Sequence, residues 1–151
     1  MTLQITTSAP DETLALGRRF AALLAPGDVI LLEGRLGAGK TLFVSGIAEG
    51  LGIPEPVTSP TFIISRIYRG GFLPLVHADV YRLGSMAEFD DLELADDALD
   101  GALVIEWGGT VAEGVGPDHM AVAIDIVDDH VRTFEFRPSG AWKERGLEML
   151  T

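Results

Sequence analysis

The chain of 151 residues contains no cysteine. Disulfides, thiol catalysis and cysteine-ligated zinc are therefore excluded. Basic residues are few: 11 Lys and Arg stand against 23 Asp and Glu, for a net charge of −12. A surface of that sign repels a phosphate backbone and argues against free-standing nucleic-acid binding. It suits a protein partner that is basic where the two meet. No uninterrupted apolar run approaches the roughly 18 residues of a membrane span. The opening stretch MTLQITTSAPDE lacks the basic start and apolar core of a secretory signal. The expectation is a cytoplasmic chain with no membrane partner. Asparagine is absent, and Gln4 is the only glutamine. No repeat, low-complexity tract or linker divides the chain. Its length fits one domain, residues 1–151, on a prior of about 100–200 residues per domain.

What is present is an alternation of strand and helix patterns. Leu3–Thr7 reads as a strand. Ser8 then offers an N-cap, with Pro10, Asp11 and Glu12 in a first helical turn. Leu16, Phe20, Leu23 and Leu24 follow on one helical face, and Pro26-Gly27 stops it. Val29–Leu32 is wholly apolar, as a strand buried on both faces would be. A glycine-rich loop spans Gly34 to Gly39. Val44, Ile47, Ala48 and Leu51 then repeat at helical spacing, closed by Gly52. Phe62–Tyr68 and Leu73–Asp79 read as a hairpin around Gly70-Gly71, and Val122–Val127 and Val131–Phe136 as another around Asp128-Asp129. Ala102–Ile105 is a further buried strand, ending in Glu106, and a short helix is expected near Trp142. The fold class is α/β and P-loop NTPase-like, with a mixed central sheet flanked by helices and extended by hairpins. Glu88–Asp100 holds seven acidic residues of thirteen and no basic one. It reads as a solvated face, with a docking surface as the alternative.

Gly34-Arg35-Leu36-Gly37-Ala38-Gly39-Lys40-Thr41 fits G-x-x-x-x-G-K-[ST] in full. By composition alone, such a match somewhere in this chain has odds of roughly 1 in 350. An apolar strand before it and an amphipathic helix after it are the context a phosphate loop requires. Glycines let the backbone approach phosphates closely, and loop N–H groups with the helix N-terminus cradle the negative charge. Gly37, Ala38, Gly39, Lys40, Thr41 and Leu42 thus form the expected nucleotide cradle. Lys40, one of only two lysines, brings a point charge to the β- and γ-phosphates, and Thr41 offers its hydroxyl to Mg²⁺.

The metal needs a second protein ligand, normally an acid at the end of a neighbouring strand. Glu106 follows the cleaner apolar run and is assigned to Mg²⁺, directly or through water. Asp79 ends a strand that His77 interrupts, and is assigned to the attacking water or the outer metal shell. Thr61, in the turn-rich Ser59-Pro60-Thr61, sits where phosphate-loop proteins often place a γ-phosphate sensor. The Asn-Lys-x-Asp stretch that reads guanine is impossible without asparagine, so ATP is favoured over GTP. Arg82 is a candidate charge-neutralising arginine, or else a surface partner of the acidic stretch.

Four motifs resemble the TsaE (YjeE) family of small bacterial ATPases. They are Leu36-Gly-Ala-Gly-Lys-Thr41, Ser59-Pro-Thr-Phe62, His77-Ala-Asp-Val-Tyr-Arg82 and Ile105-Glu-Trp107. Their order and spacing agree from about Thr13 to about Arg137. The resemblance implies ATP and Mg²⁺ in the loop, a switch at Ser59-Pro60-Thr61, a catalytic Asp79, Glu106 near the metal and Trp107 beside the site. Arg132 resembles a position that touches nucleotide. The implied role is in threonylcarbamoyladenosine modification of tRNA. There the protein joins a TsaD–TsaB threonylcarbamoyl-transferase pair and hydrolyses ATP to reset it, meeting tRNA only indirectly. Arg35 and Leu42 depart from the family's usual residues without removing a ligand. Two other readings remain open on the residues alone. One is a small-molecule kinase; the other is a module whose binding surface ATP orders without useful turnover.

Overall fold

The computed structural model describes residues 2–35, 37–58, 65–79, 100–106 and 116–151. Within them lie seven strands: β1 (Leu3–Thr7), β2 (Asp28–Glu33), β3 (Ser65–Tyr68), β4 (Leu75–Asp79), β5 (Ala102–Glu106), β6 (His119–Ile126) and β7 (Arg132–Ser139). The described residues also hold two α-helices, α1 (Pro10–Ala21) and α2 (Lys40–Gly50), and two 3-10 turns at Gly140–Glu144 and Leu147–Leu150.

The strands form one sheet in the order β1-β7-β6-β2-β5-β4-β3. Its centre is parallel: β2 pairs with β5 and β6, and β5 with β4. Both flanks are antiparallel, through β3 on β4 at one side and through β7 on β6 and β1 on β7 at the other. The mixed sheet and both hairpins are as the sequence pattern predicts. The apolar run of β2 is explained by its place between two parallel neighbours, with Ile30, Leu31 and Leu32 at most 1% exposed.

Both helices pack on one face, so the described helices do not flank the sheet on two sides. That face carries Ile30, Leu32, Val104, Val122, Ile124, Phe134 and Phe136, joined in one core with Leu16, Phe20, Phe43 and Ile47 of the helices. Phe20 is its hub, with ring centroids 5.7 Å from Phe43, Phe136 and Trp142. The opposite face carries Leu31, Val76, Ala78, Leu103 and Ile105, all buried.

Two local expectations are corrected. Ala9, not Ser8, is the N-cap of α1, and it makes no side-chain cap. Pro10 at the first helical position tolerates this, and the carboxylate of Glu12 accepts the Ser8 N–H instead, at 3.2 Å. Helix α1 ends at Ala21, before Leu23, Leu24 and Pro26-Gly27. Leu23 is still buried, as part of the turn leaving the helix. The short helix expected near Trp142 is present, as a 3-10 helix over Gly140–Glu144.

Candidate functional site

The parallel register sets the site. Leu32 of β2 lies beside Glu106 of β5, and Glu106 beside Asp79 of β4. Three C-terminal strand ends therefore meet at one edge, where open parallel sheets hold their ligands. The chain leaves β2 through the glycine loop and enters α2. Gly37 (φ 83°) and Gly39 (φ 105°, the N-cap of α2) take left-handed conformations that a side chain would strain. The first bond within α2 runs from the Phe43 N–H to the Gly39 carbonyl at 2.9 Å. The N–H groups of the turn ahead of it have no carbonyl four residues back to bond, which makes a helix start an anion site.

Lys40 is buried and folds back over the loop. Its Nζ donates to the carbonyls of Gly34 at 2.5 Å and Arg35 at 3.2 Å. Burial pushes its pKa below the ordinary lysine value, while the charges of Glu106 and Asp79 pull it back up. The electrostatics thus join the loop lysine to both strand-end acids, the three charged groups that the sequence reading singled out. Thr41 follows on the first turn of α2, half-buried. Asp79 is half-buried, whereas Glu106 is almost wholly buried and bonded to Nε2 of His77.

Magnesium suits this set of donors. No cluster of three or more His, Cys, Asp or Glu occurs among the described residues. Magnesium asks for none, because it is commonly held by one or two protein oxygens together with phosphate and water. The Thr41 hydroxyl and the Glu106 carboxylate are oxygen donors of that kind.

A second feature lies on the other side of the loop. A cleft of about 140 Å³ opens between the start of α1 (Ala9, Pro10, Thr13), the loop and α2 (Gly37, Ala38, Gly39, Leu42) and the β6–β7 turn (Asp129, His130, Arg132). Arg132 ties two of these walls together. Its guanidinium donates to the carbonyls of Ala38 at 3.1 Å, Gly37 at 3.4 Å and Asp128 at 2.7 Å. Thr13 is fixed by a hydroxyl–hydroxyl bond to Thr7 at 2.8 Å. The wall from α1 and His130 had no signal in the sequence, because only the sheet order brings β1, α1 and the β6–β7 turn beside the loop.

Several expected residues lie outside the described ones: Leu36, Ser59-Pro60-Thr61, Arg82, Trp107 and the acidic stretch up to residue 99. The segment leading to Thr61 is described up to Thr58. Its N–H donates to the Tyr68 hydroxyl at 3.1 Å, and Arg66 pairs with Glu55 beside it. Among the described residues no helix is long and apolar enough to cross a membrane.

Comparison with known proteins supplies the family. A family model described as threonylcarbamoyl adenosine biosynthesis protein TsaE matches residues 7–134. The tRNA threonylcarbamoyladenosine biosynthesis protein TsaE of Bacillus subtilis is 42% identical over 147 residues, 96% of this chain and 91% of that protein. Its counterpart from Streptomyces coelicolor is 47% identical over 113 residues, 73% of this chain and 76% of that protein. The crystal structure of Bacillus subtilis YdiB superposes with a TM-score of 0.79 at 35% identity, covering 99% of this chain and 94% of that one. With a family match across most of its length and relatives this similar, the chain belongs to the TsaE family of threonylcarbamoyl adenosine biosynthesis proteins.

Proposed function

We propose that this protein is a Mg²⁺-dependent ATPase, one domain over its whole length, that serves the tRNA threonylcarbamoyladenosine machinery of the cytoplasm. In this reading its hydrolysis of ATP resets a TsaD–TsaB threonylcarbamoyl-transferase pair between turnovers. The observation that carries the proposal is the meeting of Lys40, Glu106 and Asp79 at the strand-end edge beside a phosphate loop. The names of the relatives supply the pathway.

The chain's residues divide the task. The loop and the start of α2, Gly37 to Leu42, bind the phosphates through backbone N–H groups. Lys40 exchanges its two carbonyl partners for oxygens of the β- and γ-phosphates. The cleft beside Arg132 receives the base and ribose, which sets the triphosphate along the loop. Thr41 and Glu106 would hold the metal, which when bound would offset phosphate charge. Asp79 orients the attacking water and accepts its proton as the bond from the γ-phosphorus to the bridging oxygen breaks, releasing ADP and inorganic phosphate. Thr61 senses the γ-phosphate. The net charge of −12 fits a subunit that reaches tRNA only through its partners.

The test is ATP hydrolysis by the purified chain, alone and with the TsaD–TsaB pair, using Lys40→Ala as the blank. Weak turnover that rises with the pair supports the reading. No rise, with nucleotide still bound, overturns the resetting role. Phosphate appearing on another compound rather than free overturns the ATPase assignment.

A further inference from the structure

His77 is an odd residue for its position. It sits mid-strand in β4 between Val76 and Ala78, with no exposure, opposite Val104 of the parallel neighbour β5. An imidazole there loses its hydration, and an apolar side chain would fill the space without that cost. The ring is nonetheless engaged: Nε2 bonds Oε2 of Glu106, in a pair whose side chains are 0% and 5% exposed. Its Nδ1 is the only buried side-chain nitrogen or oxygen among the described residues with no hydrogen-bond partner. The proposed function assigns this ring no part.

We propose that His77 is a positioning residue, which holds the Glu106 carboxylate in the orientation that receives the nucleotide-bound metal. This rests on the reading of Glu106 as a metal-side carboxylate. The tautomer follows from the two nitrogens. A proton on Nε2 donates to the carboxylate and leaves only a lone pair at the orphaned Nδ1. The other tautomer sets a lone pair against a carboxylate and buries an N–H with no acceptor. With Oε2 held by His77, rotation of the carboxylate is blocked and Oε1 is the oxygen left for the metal or its water. Fixing of a ligand by an outer partner is general at metal sites, where loss of the partner costs about 10- to 100-fold in metal affinity or activity. The placement is also economical in sequence: His77 and Asp79, two apart in β4, share a face with Glu106, so one strand orients the metal-side acid and presents the water-side acid.

The experiment measures Mn²⁺ binding to protein saturated with a non-hydrolysable ATP analogue, by electron paramagnetic resonance, alongside nucleotide affinity in EDTA. His77→Leu is expected to weaken Mn²⁺ binding at least about tenfold while leaving metal-free nucleotide affinity unchanged. His77→Gln, whose amide N–H can still donate to Glu106, is expected to restore most of the loss. Wild-type Mn²⁺ affinity in His77→Leu, or a glutamine variant no better than leucine, overturns the proposal. Glu106→Gln separates it from the reading beneath: unchanged Mn²⁺ affinity there means that Glu106 is not on the metal at all. Should the leucine variant not fold, ring ¹⁵N spectra of the wild type decide. A hydrogen-bonded Nε2–H that shifts when Mg²⁺ joins the nucleotide complex supports the role, and ring signals indifferent to Mg²⁺ overturn it.

Discussion

Lys40 is buried while carrying a group that water would solvate far better. Its lowered pKa gives the sign: the folded chain holds that proton less tightly than the unfolded one. The charge therefore costs stability at neutral pH, and the cost is relieved only as the pH rises toward the ordinary value of 10.5. Lys40→Met is accordingly expected to leave the melting temperature of the nucleotide-free protein unchanged or raised. The rise that saturating ATP brings, about 2.7 kcal/mol at a hundred times Kd, should vanish. Differential scanning fluorimetry with and without ATP checks both halves, and a large fall in the nucleotide-free melting temperature would contradict the first. Asp79 makes the complementary case. Its charge stands near where the triphosphate would lie, so Asp79→Asn removes a repulsion and should not weaken ATP binding. If Asp79 handles the water, single-turnover hydrolysis should fall by about 10²–10⁴. Equal losses in binding and turnover would instead mean a structural carboxylate.

Helices α1 and α2 touch backbone to backbone, and glycines make that possible. A Cβ on Gly17 would sit 2.5 Å from the Phe43 carbonyl oxygen and 2.8 Å from the Gly46 Cα, and one on Gly46 would overlap the Leu14 carbonyl. Gly46→Ala must push α1 off α2. The start of each helix walls the cleft beside Arg132, the proposed seat of the nucleotide, so stability should drop by about 1–3 kcal/mol and nucleotide affinity should fall with it. Urea unfolding and a fluorescent-nucleotide titration test the pair of effects; a stability loss without an affinity loss would show that the cleft does not depend on helix spacing. The β6–β7 turn has its own control. The Asp128 carboxylate accepts the N–H groups of His130 at 2.8 Å and Val131 at 2.9 Å, which hold its pKa below the ordinary 3.8. A depressed carboxyl pKa stabilises above the unfolded value, and that contribution is lost as pH falls through the folded one. Exchange of the His130 and Val131 amides should accelerate in that acid window ahead of the rest of β7. Strand and hairpin periodicity made these elements readable, with β2, α2 and Asp128-Asp129 where the pattern puts them. The helix contact was not readable, because a glycine inside a helix looks only like a weak helix former. His77 misled in the same way: it looked like an interruption of a strand, and its partner Glu106 lies 29 residues away.

The two ends of the central strand serve different purposes. At its C-terminal end β2 runs into the glycine-rich loop. At its N-terminal end Asp28 receives Arg145 through two bonds of 2.8 Å, across 117 residues of chain. Arg145 also donates to the Leu23 carbonyl at 2.9 Å and stacks 4.3 Å above Trp142, whose ring lies on Phe20. The tail thereby ties the exit of α1, the entry of β2 and the aromatic core together. No local pattern reports such a latch, since its two partners carry no periodicity that relates them. Charge and chain position alone would have left Arg145 as one more surface arginine. Asp28 is buried, so Arg145→Met strands a carboxylate in a site without its cation, a loss of about 3 kcal/mol. For a chain of this length that is a fall of roughly 6–12 °C in melting temperature. Because the latch sits at the opposite end of β2 from the loop, ATP affinity of the folded protein should stay within about twofold, distant sites acting independently. Melting curves and nucleotide titrations at 15 °C separate the two quantities. A large affinity loss in a fully folded Arg145→Met protein would mean that the strand transmits strain from the tail to the loop, and that stability and nucleotide binding are one property of this sheet rather than two.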